Sequence, residues 1–170
     1  HIAADNPDGT LLSFVFDNKN DILYTAHRKS GSGANEITTI KKFLLDQTGS
    51  PAHILSNSKL LGHVQSLSLE YDSVGEAYLW TSDANGTGLS RIIASNLSVD
   101  ASYPNILPSG YSEIVPYVST NGKYLVARGK KNNTNRIFVY KLSDLTDLIY
   151  EFDLNADQNI TSTHTFKGIL

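Results

Sequence analysis

The stretch Leu67-Ser68-Leu69-Glu70-Tyr71-Asp72-Ser73-Val74-Gly75-Glu76-Ala77-Tyr78-Leu79-Trp80-Thr81-Ser82 decides how the chain is read. Strand formers fill both halves, and the first half alternates apolar and polar residues as a half-buried strand does. Between the halves lies Asp72-Ser73-Val74-Gly75. Aspartate can hold backbone N–H groups just beyond it, and glycine accepts a positive φ, so the quartet closes a hairpin.

The same unit recurs on either side. Phe14-Val15-Phe16-Asp17 turns through Asn18-Lys19-Asn20 into Ile22-Leu23-Tyr24-Thr25, and Ile114-Val115-Pro116-Tyr117-Val118 turns through Asn121-Gly122 into Tyr124-Leu125-Val126-Ala127. Each hairpin is followed by a loop rich in Gly, Asn and Ser and then by a further strand, at residues 37–43, 89–93 and 137–140. Taking Leu23, Leu79 and Leu125 as markers, the unit returns about every 50 residues, the period of propeller blades of three or four strands. In full, strands are expected at residues 10–16, 22–27, 36–45, 64–71, 77–82, 89–94, 113–119, 124–129, 136–142 and 148–154. Only 143–149 and 37–45 also admit a helix.

The expected fold is therefore all-β: an antiparallel β-propeller of about three blades plus the start of another, with a β-sandwich as the alternative. Residues 1–170 read as one all-β domain. Thr163-His164-Thr165-Phe166-Lys167-Gly168-Ile169-Leu170 resembles the opening strand of a further unit. Three blades and a beginning do not close a ring, so the expectation is an incomplete propeller, a fragment of a longer chain or one completed by a partner chain.

Composition narrows the function classes. The 170 residues contain no cysteine, which excludes disulfides, thiolate metal sites and cysteine nucleophiles. Charged residues make up only 18%, with a net charge of −3, which argues against a disordered tail, a coiled coil or a nucleic-acid binder. No apolar run reaches the ~20 residues of a membrane-spanning helix. No Gly-x-Ser-x-Gly, His-Glu-x-x-His or phosphate-loop motif occurs, so the chain is not read as an enzyme.

Several segments resemble one family. Gly62-His63-Val64-Gln65-Ser66, ahead of Leu67-Ser68-Leu69-Glu70, is similar to a Gly-His-Thr-Gln-Thr segment of the helveticin J family, large secreted bacteriocins of lactobacilli. Residues 111–119 and then 123–127 resemble the family's His-Ala-Glu-Ala-Ala-Val-Ser and Lys-Phe-Leu-Ile-Ala. Ile137-Phe138-Val139-Tyr140-Lys141-Leu142 resembles Phe-Thr-Ile-Tyr-Asn-Leu, and residues 163–169 resemble the start of another repeat. The matches are collinear. Tyr111 stands where the family has His and Lys167 where it has Gln, so ligand preference is expected to differ. The resemblance implies a secreted, propeller-like bacteriocin that binds a cell-envelope component of related bacteria.

Candidate ligand-binding residues fall in three groups. His63 with Gln65, Tyr111 with Glu113, and His164 with Lys167 recur at the starts of repeats, where first strands of blades line a channel; their donors and acceptors suit sugar hydroxyls or phosphate. The alternative is that they satisfy backbone groups of the inner strands. Trp80, sharing a strand face with Tyr78, is either an exposed platform for a sugar ring or a ring packed between blades. Lys130, Lys131 and Arg136 lie in a segment, 123–141, that holds six cations and no acid, so this hairpin is either a basic patch for teichoic acid or a solvated loop. Asp153, Asn155 and Asp157 alternate like the opening of a calcium loop. The sixth position, however, is Gln158 rather than Gly, and no acid closes the loop. No other metal or cofactor is expected.

The leading expectation is a secreted helveticin-J-like bacteriocin acting on a bacterial cell-wall glycan or teichoic acid. The alternative is a non-toxic carbohydrate-binding propeller, such as a lectin, adhesin or phage receptor-binding module. A propeller hydrolase comes third.

Overall fold

The computed structural model describes residues 9–30, 37–45, 51–59, 64, 66–83, 86–132 and 134–154. Among them the chain forms three four-stranded antiparallel sheets and no helix. The first sheet is β1 (Thr10–Asp17), β2 (Ile22–Ser30), β3 (Ile37–Leu45) and β4 (Pro51–Lys59). The second is β5 (Ser68–Tyr71), β6 (Ala77–Ser82), β7 (Leu89–Ile93) and β8 (Val99–Tyr103). The third is β9 (Ser112–Val118), β10 (Tyr124–Lys131), β11 (Thr134–Lys141) and β12 (Asp144–Asp153). In each sheet the strands lie side by side in chain order. These are propeller-like blades, each a meander, arranged in an open arc. The expected further blade start at 163–170 lies outside the described residues.

The repeated hairpins are the first two strands of each blade, closed by side chains as the turn residues require. Asp17 Oδ1 accepts from the backbone N–H groups of Lys19 and Asn20 at 3.0 and 3.1 Å. Asp72 Oδ1 accepts from those of Val74 and Glu76 at 3.0 and 2.8 Å. In the third blade Asn121 Oδ1 accepts from Lys123 N–H at 3.1 Å, and Ser119 Oγ accepts from Tyr124 N–H at 3.0 Å. Residues 37–45 and 144–149, open to a helical reading, are strand. Each blade has a fourth strand; β4 and β8 were not expected.

The middle blade is buried on both faces. Leu79 of β6 packs with Tyr24, Ala26 and Ile40 of the first blade and with Leu67 and Ile92 of its own. Its chain neighbour Trp80 points the other way, into a core with Ile114, Val118, Leu125, Ala127, Phe138 and Tyr140 of the third blade. Alternation along one strand thus supplies two cores. The Tyr140 hydroxyl also donates to Ile106 O at 2.9 Å, anchoring the third blade to the connection after β8.

Candidate functional site

The first strands of the three blades, β1, β5 and β9, run next to one another and are tied by serines. Ser13 Oγ accepts from Leu67 N–H at 2.9 Å, and Ser68 Oγ accepts from Val118 N–H at 2.8 Å. The Ser66 hydroxyl donates to Pro116 O at 3.3 Å. These bonds satisfy inner-strand backbone groups that no sheet ladder reaches, which fixes the spacing between blades.

Where these strands run into their turns they enclose an open groove of about 640 Å³. Its polar lining includes Asn18, Glu70, Tyr71, Ser119 and Asn121, and Tyr117 lines it as well. Phe14 and Phe16 flank it on the side of the first blade. The polar groups are held in place by neighbours. The Tyr71 hydroxyl donates to Asp17 Oδ1, and Asn20 Nδ2 donates to Asp17 Oδ2 at 2.9 Å. Burial works to raise the Asp17 pKa, but the hydrogen bonds from Tyr71, Asn20 and Lys19 outweigh it and hold the carboxyl below its ordinary value. Burial and the bond to Asp17 push the Tyr71 phenol up. Asn121 Oδ1 is engaged by the Ser119 hydroxyl at 2.7 Å and by Lys123 N–H, which orients its amide.

Glu70 joins the groove to a buried network. Its Oε2 accepts from Trp80 Nε1 at 2.6 Å, and Arg91 donates to both carboxylate oxygens, Nε to Oε2 at 2.9 Å and Nη2 to Oε1 at 3.1 Å. Arg91 Nη1 reaches Asp100 at 2.7 Å, and its guanidinium lies 3.4 Å from the centre of the Tyr78 ring. Burial alone would lower the arginine's pKa; the bonds to Glu70 and Asp100 raise it instead.

The expected site residues divide accordingly. Trp80 is 2% exposed and stacks on Tyr103 with ring centres 5.4 Å apart, so it offers no face to a sugar; the packed alternative holds. Tyr111, Glu113, Lys130, Lys131 and Arg136 do come together, at the opposite end of β9 from the groove. Tyr111 meets Phe138 edge to face at 5.1 Å, with Lys131 Nζ 5.5 Å from its ring centre. Glu113 sits in a bulge of β9 opposite β10 with φ 55°, a left-handed conformation that costs a side-chain-bearing residue about 1 kcal/mol or more. Its carboxylate faces Lys130 Nζ at 3.5 Å. Arg136 pairs with Glu151 and, at 3.4 Å, with Asp153. Lys141 meets Asp147 at 2.6 Å. The hairpin expected as a basic patch is therefore balanced by acids from β9 and β12. Asp153, expected at a calcium loop, is spent on Arg136, and Asn155 and Asp157 lie outside the described residues, as do His63, Gln65 and His164. Among the described residues no three His, Asp or Glu side chains cluster as metal ligands.

Sequence reasoning passed over the groove. Asn18 and Asn121 are accounted for as turn formers, and Ser119 as the end of an expected strand. The signal was their placement directly after the first strands of the first and third blades, which end on the same side of β5.

No family model and no curated protein matches the chain. Solved structures do. The chain is similar to a GH43 glycoside hydrolase with an engineered active site, at 9% identity and a TM-score of 0.57 over 84% of this chain and 28% of that one. It is similar to a chain of a nidogen/laminin complex, at 13% identity and 0.57 over 87% of this chain and 49% of that one. A third likeness is KlHsv2 with loop 6CD replaced by a Gly-Ser linker, at 9% identity and 0.51 over 86% and 40%. At these identities the likeness is one of fold, the β-propeller. The chain spans less than half the length of each of these neighbours.

Proposed function

We propose that the chain is a carbohydrate-binding β-propeller module that holds a glycan in the groove between β1, β5 and β9. The observation that carries this reading is the lining itself: the aromatic residues Phe14, Phe16, Tyr71 and Tyr117 beside amide and hydroxyl groups contributed by three blades. Sugars are bound by stacking of an apolar ring face and by hydrogen bonds to hydroxyls, and a groove of this volume suits one to a few sugar units. The GH43 neighbour carries endo-xylanase and exo-arabinofuranosidase activity, so blades of this kind support glycan chemistry in at least one protein.

On this reading the module works outside the cell, on a bacterial cell-wall glycan, and binds without cleaving. The helveticin-J-like activity is the further proposal that such binding kills related bacteria. A glycan array tests the first claim: binding to a defined group of glycans supports it, and a blank array overturns it. Killing of Gram-positive strains supports the bacteriocin extension, and its absence leaves the lectin or adhesin. Release of reducing sugar from purified walls replaces both with a hydrolase.

A further inference from the structure

A second cavity lies beside the inner-strand groove and shares a residue with it, since Gly122 lines both. It is a cleft of about 310 Å³, and the rest of its lining is Lys123, Tyr124, Lys141 and Ser143. Two turns of the third blade build it. Tyr124 opens β10 and is paired with Lys141, the last residue of β11. The backbone N–H of Leu142 donates to Lys123 O at 2.9 Å, which ties the segment after β11 to the turn before β10. The placement of the cleft next to the groove is thus fixed by backbone pairing.

The chemistry of the cleft is one-sided. Of its lining residues Lys123 and Lys141 carry a positive charge, Tyr124 and Ser143 carry a hydroxyl, and none is an acid. Lys141 Nζ reaches Asp147 at 2.6 Å, an exposed pair that uses one of the ammonium's three donors. Asp144, the other acid whose field reaches Lys141, accepts from the Thr146 N–H and hydroxyl at 3.0 and 2.7 Å. The acids along the groove are engaged within the protein, Glu70 by Trp80 and Arg91 and Asp17 by Tyr71 and Asn20. On the side of the first blade, Lys19 Nζ stands 4.8 Å from the ring centre of Tyr71, which lines the groove. Lysines therefore flank the turn end of the groove from two blades.

We propose that the glycan held in the groove is anionic, and that Lys123 and Lys141 hold its charged group, a uronate carboxylate or a phosphodiester, in the adjoining cleft. The proposal rests on the glycan reading of the groove and names the class of glycan. Oxygens of either group accept charge-assisted hydrogen bonds from ammonium donors, about twice as strong as neutral ones, and the cleft admits one such group. The cationic contact thus falls beside the groove. It does not fall at the 130–136 hairpin, where Glu113, Glu151 and Asp153 face the cations.

The test is calorimetric titration of matched probes into the 170-residue chain. One pair is an oligouronide and its carboxyl-reduced form; the other is a glycosylated glycerol-phosphate oligomer and the glycosylglycerol it yields on loss of phosphate. One acidic probe is expected to bind about 10-fold or more tighter than its neutral partner. Its affinity is expected to fall between about 0.1 and about 1 M salt, as the screening length drops from about 10 to about 3 Å. Which acidic probe binds decides between uronate and phosphodiester. Lys123→Met changes an exposed side chain and is expected to cost the acidic probe about 10-fold and the neutral one nothing. Asp147→Asn removes the negative charge that competes for Lys141 and is expected to tighten the acidic probe a few-fold, a gain that misfolding does not imitate. Equal affinity for acidic and neutral probes, or acidic binding that neither substitution changes, overturns the proposal and leaves the groove to neutral glycans. So does a chain that binds neutral glycans on the array and neither acidic probe. A blank array together with four blank titrations overturns the glycan reading as well.

Discussion

The backbone N–H of Val118 donates to the hydroxyl of Ser68 at 2.8 Å, across the boundary between the second and third blades. Two strands that share no sheet ladder are thereby held at fixed distance, and the groove they line inherits that spacing. Ser68→Ala removes the acceptor and leaves a buried N–H unpaired, at a cost of about 1–3 kcal/mol. Chemical denaturation of the variant is expected to show a lower midpoint with an unchanged slope. Ser68→Thr, which keeps the oxygen, is expected to recover part of the loss.

Glu70 carries a heavier role. Its carboxylate takes the Trp80 indole N–H and both forks of Arg91, with little solvent nearby. Glu70→Ala leaves a mostly buried guanidinium facing an empty space, and the expected destabilisation is on the order of 3 kcal/mol. Because the chain has one tryptophan, its fluorescence reports on this site alone. The emission is expected to shift in Glu70→Ala while the wild-type spectrum stays that of a buried indole.

Gly88 is crowded by the end of β8. A Cβ there would overlap the carbonyl oxygen of Tyr103 and lie 2.9 Å from Pro104 Cα. Both are backbone atoms, which give way only if β8 moves. Gly88→Ala is expected to lower stability by about 1–3 kcal/mol, read as a drop in melting temperature.

Stability is expected to fall at both ends of the pH scale. Burial, aided by the negative charge of Asp17, pushes the Tyr24 phenol to about 12, and burial with Glu151 does the same for Tyr140. Ionisation is easier in the unfolded chain, near 10, so the protonated phenols stabilise the fold fully below that pH. This contribution is lost as the pH rises from about 10 to about 12. Asp17 works in the opposite direction. Its pKa is held below 3.8, so its contribution is present above that value and lost as the pH falls through its folded value. Ultraviolet titration is expected to show Tyr24 and Tyr140 ionising together with unfolding, and Asp17→Asn is expected to flatten the acid limb.

The inner half of each blade was legible because its chemistry is local. Hairpins such as 67–82 bury an alternating face and turn on Asp, Asn and Gly, and all of that is written within some sixteen adjacent residues. The outer strands were harder. Val99–Tyr103 alternates partly buried with exposed positions and has no strongly apolar side, because a blade's rim packs against little. Trp80 could be placed on a strand face but not assigned an environment, since its partner Glu70 is ten residues away and Arg91 comes from the next strand. The cationic hairpin misled for a similar reason: Glu151 and Asp153, which neutralise Arg136, arrive from a strand 15 and 17 residues further on. The groove was hidden because its residues come from the ends of three inner strands about 50 residues apart and from the turns after two of them, and those turns already explain Asn18 and Asn121.

Glycan binding at the inner-strand groove is tested most directly by calorimetric titration of a glycan taken from the array into the wild-type chain and into Tyr117→Ala and Asn121→Ala. Saturable binding by the wild type is expected, with each variant weakened by about 10-fold or more, the loss of one stacking contact or one well-made hydrogen bond. Lys131→Ala, at the far end of β9, is expected to bind as the wild type does. Equal affinity in all four proteins, or loss only in Lys131→Ala, would contradict the assignment of the groove.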